Sequence, residues 1–88
     1  MTDSEVEAKL EALERQLERA RLKKDDPYAR GPVYRRIGNI GVPAVGLLLR
    51  LHEAYPEEWG YAMCELRRVA EAAKDPTLTR RVLDAAVS

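Results

Sequence analysis

From Val42 to Leu51 the chain reads Val-Pro-Ala-Val-Gly-Leu-Leu-Leu-Arg-Leu, and a helix wound from it is apolar on nearly every side. Such a helix needs cover from several directions, which places it at the centre of a helical bundle. A second segment follows at once. Trp59, Ala62, Met63, Leu66, Val69, Ala70 and Ala73 recur at spacings of three and four, the period of one helix face. In that register Trp59 lies on the inner stripe, and Glu58, Glu65, Arg68 and Glu71 fall on or near the wet side. Tyr55-Pro56-Glu57-Glu58 separates the two segments, with both glutamates where a helix start favours negative charge. The pattern dictates two antiparallel helices joined by a tight turn.

Upstream, residues 3–24 are rich in Glu, Ala, Leu, Lys and Arg, all good helix formers. Thr2 with Glu5, or Ser4 with Glu7, has the spacing of a capping box. Val6, Leu10, Leu13, Leu17 and Ala20 follow alternating steps of four and three, a heptad seam flanked by Lys9 and Glu14. This predicts a coiled-coil-like helix that holds a homodimer through Val6, Leu10, Leu13 and Leu17. The other reading of the same stripe is an amphipathic helix laid on its own domain. Leu22 is out of register.

Punctuation divides the remainder. Asp25-Asp26-Pro27 ends the first helix, because proline disfavours a helical residue before it, and Asp26 is placed to cap a short turn beginning at Pro27. Gly31-Pro32 is a second break, with Pro32 opening a short helix through Ile37 or Asn39. Gly38 and Gly41 allow the chain to turn before Pro43. Asp75-Pro76 starts a last helix with Leu78, Val82 and Ala85 or Ala86 inward. No segment alternates with a period of two. Residues 1–25 read as an N-terminal amphipathic helix and residues 26–88 as a helical domain.

The block Ile37-Gly38-Asn39-Ile40-Gly41-Val42-Pro43-Ala44-Val45, with the leucines after it, resembles the first helix of HEAT-like repeats, including those of phycobilisome lyases. Pro56 to Leu66 resembles the second helix, with Ala62 at the small position where paired helices approach closely. With Tyr34, the block also resembles a small bacterial domain of uncharacterised role that joins a Gly-x-Pro-Ala segment to a downstream Trp and Ala-Leu; here Ala62-Met63 stands at the last pair. The resemblance spans residues 34–69. It implies an all-α fold: a small bundle built on one HEAT-like antiparallel hairpin, with a heptad helix in front. There is no second copy, so no repeat array is expected.

Composition narrows function. Fifteen basic residues balance fifteen acidic ones, against a general nucleic-acid coat. A single cysteine excludes an internal disulfide and fits a reducing, cytoplasmic setting. The acidic, polar start lacks a signal-peptide pattern, and the apolar run is too short to span a membrane. Eighty-eight residues bury a modest core, which a dimer interface would supplement. Charge is zoned: residues 1–14 carry five acids against Lys9, and residues 15–36 carry eight bases against Glu18, Asp25 and Asp26.

No catalytic, cofactor or metal constellation emerges. His52 reads as a boundary residue, Cys64 as small packing, and the two lack the further ligands a metal needs. Gly38-Asn39-Ile40-Gly41 has neither the strand nor the lysine of a phosphate loop. The expected function is non-catalytic protein binding, as a dimeric regulator or inhibitor of a larger bacterial complex. Tyr61, off the inner stripe, is the expected aromatic anchor, with Arg35, Arg36, Arg67 and Arg68 around it. The competing reading is nucleic-acid binding by the band from Arg15 to Arg36, with Tyr28 and Tyr34 stacking on bases.

Overall fold

Five α-helices follow one another in the computed structural model, which describes residues 2–23, 25–26 and 28–87, and no strand occurs among them. They are α1 (Asp3–Arg21), α2 (Arg30–Ile40), α3 (Val45–Ala54), α4 (Trp59–Ala73) and α5 (Pro76–Val87), with 3₁₀ turns at Val42–Ala44 and Pro56–Glu58. The fold is all-α, as expected. Lys24, and Pro27 where the turn is expected to start, lie outside the described residues; Asp26 Oδ1 accepts the Tyr28 N–H at 3.2 Å, the capping role expected of Asp26.

Local chemistry explains most boundaries. Thr2 and Glu5 form the capping box: the Glu5 N–H donates to Thr2 Oγ1 at 3.2 Å, and the Thr2 N–H to Glu5 Oε2 at 3.3 Å. The choice between the two boxes is thereby settled. Asp75 Oδ1 accepts the Thr77 N–H at 2.9 Å, so Asp75-Pro76 starts α5 as its residues require. Gly41 sits at φ 93°, open to glycine and strained for other residues, and turns the chain between α2 and the Val42–Ala44 turn. α2 starts at Arg30, ahead of Pro32, because the missing N–H of a proline costs nothing within the first helical turn.

Helix packing is antiparallel within α1/α2, as the contact of Gln16 with Arg36 and the shared cover of Ala20, Val33, Leu13 and Ile40 require. α2 and α4 run side by side in the same direction: Gly31 lies beside Tyr61, and Gly38 beside Glu65. The bundle is a slab, 39 × 33 × 18 Å, the thickness of two packed helices or a little less. Leu17, Ile37, Leu48 and Leu66 are fully enclosed in it, each contributing roughly 1.5–3 kcal/mol. Leu13, Leu17 and Ala20 belong to this same core, so the C-terminal half of the heptad seam is covered by its own chain.

The centre of the bundle differs from the expectation. α3 buries Val45, Leu47, Leu48 and Leu51 but leaves Gly46, Arg50, Glu53 and Ala54 exposed. α4 is the central helix, packed on α2, α3 and α5 together. That position widens its buried face: Ala62, Met63, Leu66, Val69 and Ala70 are inside, and so are Glu58 and Glu65 on the flank that meets α2. Glu58 and Glu65 therefore do not lie on a wet side. Trp59, by contrast, is 50% exposed, because it stands at the open end of the stripe beside His52 and the last turn of α5.

Gly38 leaves room on α2 for the Glu65 and Arg68 side chains of α4. A Cβ at that position would lie far inside contact distance of Glu65 Oε1 and 2.9 Å from Arg68 Nη2. Nothing surrounds Gly46 within 4 Å. An alanine in a helix normally stabilises by about 0.4–1 kcal/mol over glycine, and Gly46→Ala is expected to do so. Gly38→Ala should destabilise by roughly 1–3 kcal/mol through overpacking. Urea denaturation of both variants checks the opposite signs.

Candidate functional site

Glu58 is the most constrained charged group in the structure. It sits at the junction of the Pro56–Glu58 turn and α4, with 1% of its surface exposed. Its carboxylate turns away from the helix end and towards three donors. Arg21, the last residue of α1, donates Nε–H to Oε2 and Nη2–H to Oε1, both at 2.8 Å, a bidentate fork. Arg30, the first residue of α2, donates Nη1–H to Oε2 at 2.9 Å. The Tyr34 hydroxyl, one turn further along α2, donates to Oε1 at 2.5 Å.

Aromatic rings complete the cluster. The Arg21 guanidinium lies over the Tyr55 ring, 3.4 Å from its centroid, and the cation and the π face attract. Tyr34 stacks on Tyr61 with centroids 5.5 Å apart and planes 13° from parallel. Residues from α1, α2, α4 and both ends of the Pro56–Glu58 turn thus meet around one carboxylate.

The electrostatics follow from the donors. Burial pushes the Glu58 carboxyl up, but hydrogen bonds from Arg21, Tyr34 and Arg30 outweigh it and hold the pKa down at about 2. Burial, then the bond to Glu58, pushes the Tyr34 phenol up. Burial works against the charge on Arg21, yet its bonds to Glu58 leave the guanidinium pKa raised. All three groups keep their charge states through neutrality.

A second, smaller pair bridges α2 and α4. Arg68 donates to Glu65, to Asn39 Oδ1 at 2.9 Å and to the Arg35 carbonyl at 3.2 Å. Of the expected partner-binding residues, then, Arg68 is tied into the fold and Tyr61 is half-buried against Tyr34. Arg35, Arg36 and Arg67 are exposed; Arg36 donates to Gln16 Oε1 at 3.1 Å, and Arg67 lies 3.9 Å from Glu71. Tyr34 is 1% exposed and so cannot stack on a base, whereas Tyr28 is 78% exposed. His52 Nε2–H donates to the Ala85 carbonyl at 3.2 Å, and Cys64 is exposed rather than packed. No group of three His, Cys, Asp or Glu side chains is placed to hold a metal among the described residues.

The principal opening is a groove of about 790 Å³ between the N-terminal half of α1 and the end of α2. Val6, Ala12, Leu13, Ile40 and Pro43 form its apolar floor. It runs into a shallower groove of about 340 Å³ edged by Arg19, Lys23 and Asp26, the two meeting at Gln16 and Arg36. Comparison with protein families, curated proteins and solved structures finds no match to this chain.

Sequence reasoning did not find Glu58. Beside Glu57 it reads as a helix-start acid, and its partners Arg21 and Arg30 lie in a different stretch of chain. One local signal existed: Arg30 and Tyr34 are four apart, so they share a helix face and ask for one acid between them.

Glu58 contributes stability above its ordinary pKa of 4.5, and this is lost as pH falls from there towards about 2. Glu58→Gln should cost about 3 kcal/mol near neutrality, because two arginines lose their counter-charge. The gap between wild type and variant should close as pH drops through that window. Urea denaturation across pH checks it; a constant gap would contradict the assignment.

Proposed function

We propose that the chain is a non-catalytic protein-binding module: a small cytoplasmic regulator or inhibitor, built on a HEAT-like hairpin, that docks on a larger complex and self-associates through α1. The observation that carries the reading is the groove between α1 and α2, long, aliphatic at one end and lined by charge at the other. Clefts with an apolar floor between helices suit the apolar face of another helix. Glu58 is held ionised and Tyr34 protonated, so neither exchanges a proton readily near neutrality, as acid–base catalysis needs. No described helix is long and apolar enough to cross a membrane.

For self-association, the fold leaves Val6 and Leu10 as the partly exposed section of the seam, with Lys9 exposed and Glu14 partly exposed on its flanks. A parallel second helix would pair those charges.

Nucleic-acid binding is the second reading, favoured by the exposed bases Arg15, Arg19, Lys23, Arg35 and Arg36. It has weaker support, because Glu58 holds Arg21 and Arg30, and Tyr34 is buried.

Sedimentation at tens of micromolar tests the dimer: wild type is expected to dimerise and Val6→Asp/Leu10→Asp to be monomeric, whereas a monomeric wild type would contradict it. Affinity capture after nuclease treatment tests the binding role. A protein partner retained by wild type and lost by Arg36→Glu is expected; retention of nucleic acid alone would overturn the reading.

A further inference from the structure

We infer that the groove between α1 and α2 receives an acidic amphipathic helix belonging to another protein, its apolar residues against Ile40 and Pro43 and its carboxylates against Arg19, Lys23 and Arg36. This rests on the protein-binding reading above and adds the chemistry of the partner.

The two openings adjoin along the same side of the α1/α2 pair, with Gln16 and Arg36, which are hydrogen-bonded across it at 3.1 Å, lining both. Along α1 the channel wall includes Lys9, Gln16 and Arg19, and Lys23 continues it just past the helix's C-cap. α2 supplies Arg36 from the opposite wall. The lining therefore carries four bases, Lys9, Arg19, Lys23 and Arg36, against two acids, Asp3 and Asp26, one at each end. Arg36 has its hydrogen bond to an uncharged amide, and no carboxylate lies within ion-pair distance of Arg19 or Lys23 among the described residues. By contrast, Arg21 and Arg30 on the other side of the hairpin are paired with Glu58. Among the described residues, four cations outside any ion pair thus line this channel, while Arg15, Arg35, Arg50, Lys74, Arg80 and Arg81 are exposed elsewhere on the surface.

Its shape selects among anions. The floor between Val6 and Pro43 is aliphatic, Tyr34 is buried against Tyr61, and the exposed Tyr28 lies beyond the lining at the Asp26 end, so the floor itself offers no ring for a base. An apolar stripe flanked by carboxylates fits both halves. Val6 lines the channel and belongs to the self-association seam, so occupancy and dimerisation compete.

The test uses the full chain and a labelled helical peptide of about 18 residues, long enough to follow the channel, with leucines at i, i+3, i+4 and i+7 and glutamates on both flanks. Controls replace Glu by Lys, scramble the order, or substitute a single-stranded oligonucleotide. Fluorescence anisotropy should show saturable binding of the acidic peptide alone, weakened roughly tenfold or more by Arg36→Glu and by Arg19→Glu/Lys23→Glu, and by added salt. These positions are exposed, and circular dichroism confirms that the variants keep their helices. Equal binding of the lysine peptide, or binding indifferent to the charge reversals, would overturn the inference. Failure of the acidic peptide while a captured protein still depends on Arg36 would remove this inference and leave the protein-binding role. Binding of the oligonucleotide alone would remove both.

Discussion

A carboxylate withdrawn from water must be surrounded by donors, and at Glu58 three donor residues come from two other helices, α1 and α2. Arg21 ends α1, Arg30 begins α2, and Tyr34 lies one turn into α2. None of these segments can shift without leaving a charge buried and unpaired, a penalty of several kcal/mol. The covering layer follows from the same demand. Tyr55 lies against the Arg21 guanidinium, and Tyr61 covers the Tyr34 ring. Leucine packing makes the bundle compact, but aliphatic contacts tolerate sliding. The fork of Arg21 on Glu58 does not, and it sets where α1 ends relative to α4.

The second constraint is steric. Gly38 leaves room on α2 for the Glu65 and Arg68 side chains of α4, and Arg68 then bonds to Asn39 and to the Arg35 carbonyl. The two polar clusters lie at either end of the contact between α2 and α4. They hold in one register a pair of helices that hydrophobic matching alone would leave free to slip.

How much of this could be read from the sequence depends on the range of the interaction. Caps at Thr2 and Asp75, the turn at Gly41 and the all-helical character are local, and each has a residue at the expected place. Burial was misjudged where tertiary position decided it. Trp59 belongs to the right stripe but to an uncovered end, and Glu58 and Glu65 lie beside the stripe where α2 covers them. Hydrophobic periodicity describes one face of a helix, and α4 has neighbours on three sides. The groove was legible only in part: Arg36 was singled out as a contact residue, but its alignment with Lys9, Gln16 and Lys23 depends on the antiparallel pairing of α1 and α2.

These features divide the charged residues into two populations with different work. Arg21, Arg30 and Arg68 face inward to carboxylates and hold helices together, whereas Arg19, Lys23 and Arg36 face an open channel. The central claim is that Arg21 and Glu58 act as one unit, and a double-mutant cycle with Arg21→Met and Glu58→Gln measures it most directly. The coupling energy near neutral pH is predicted to reach about 1.5–3 kcal/mol. Additive effects, with coupling below about 0.5 kcal/mol, would contradict a fold that depends on this contact.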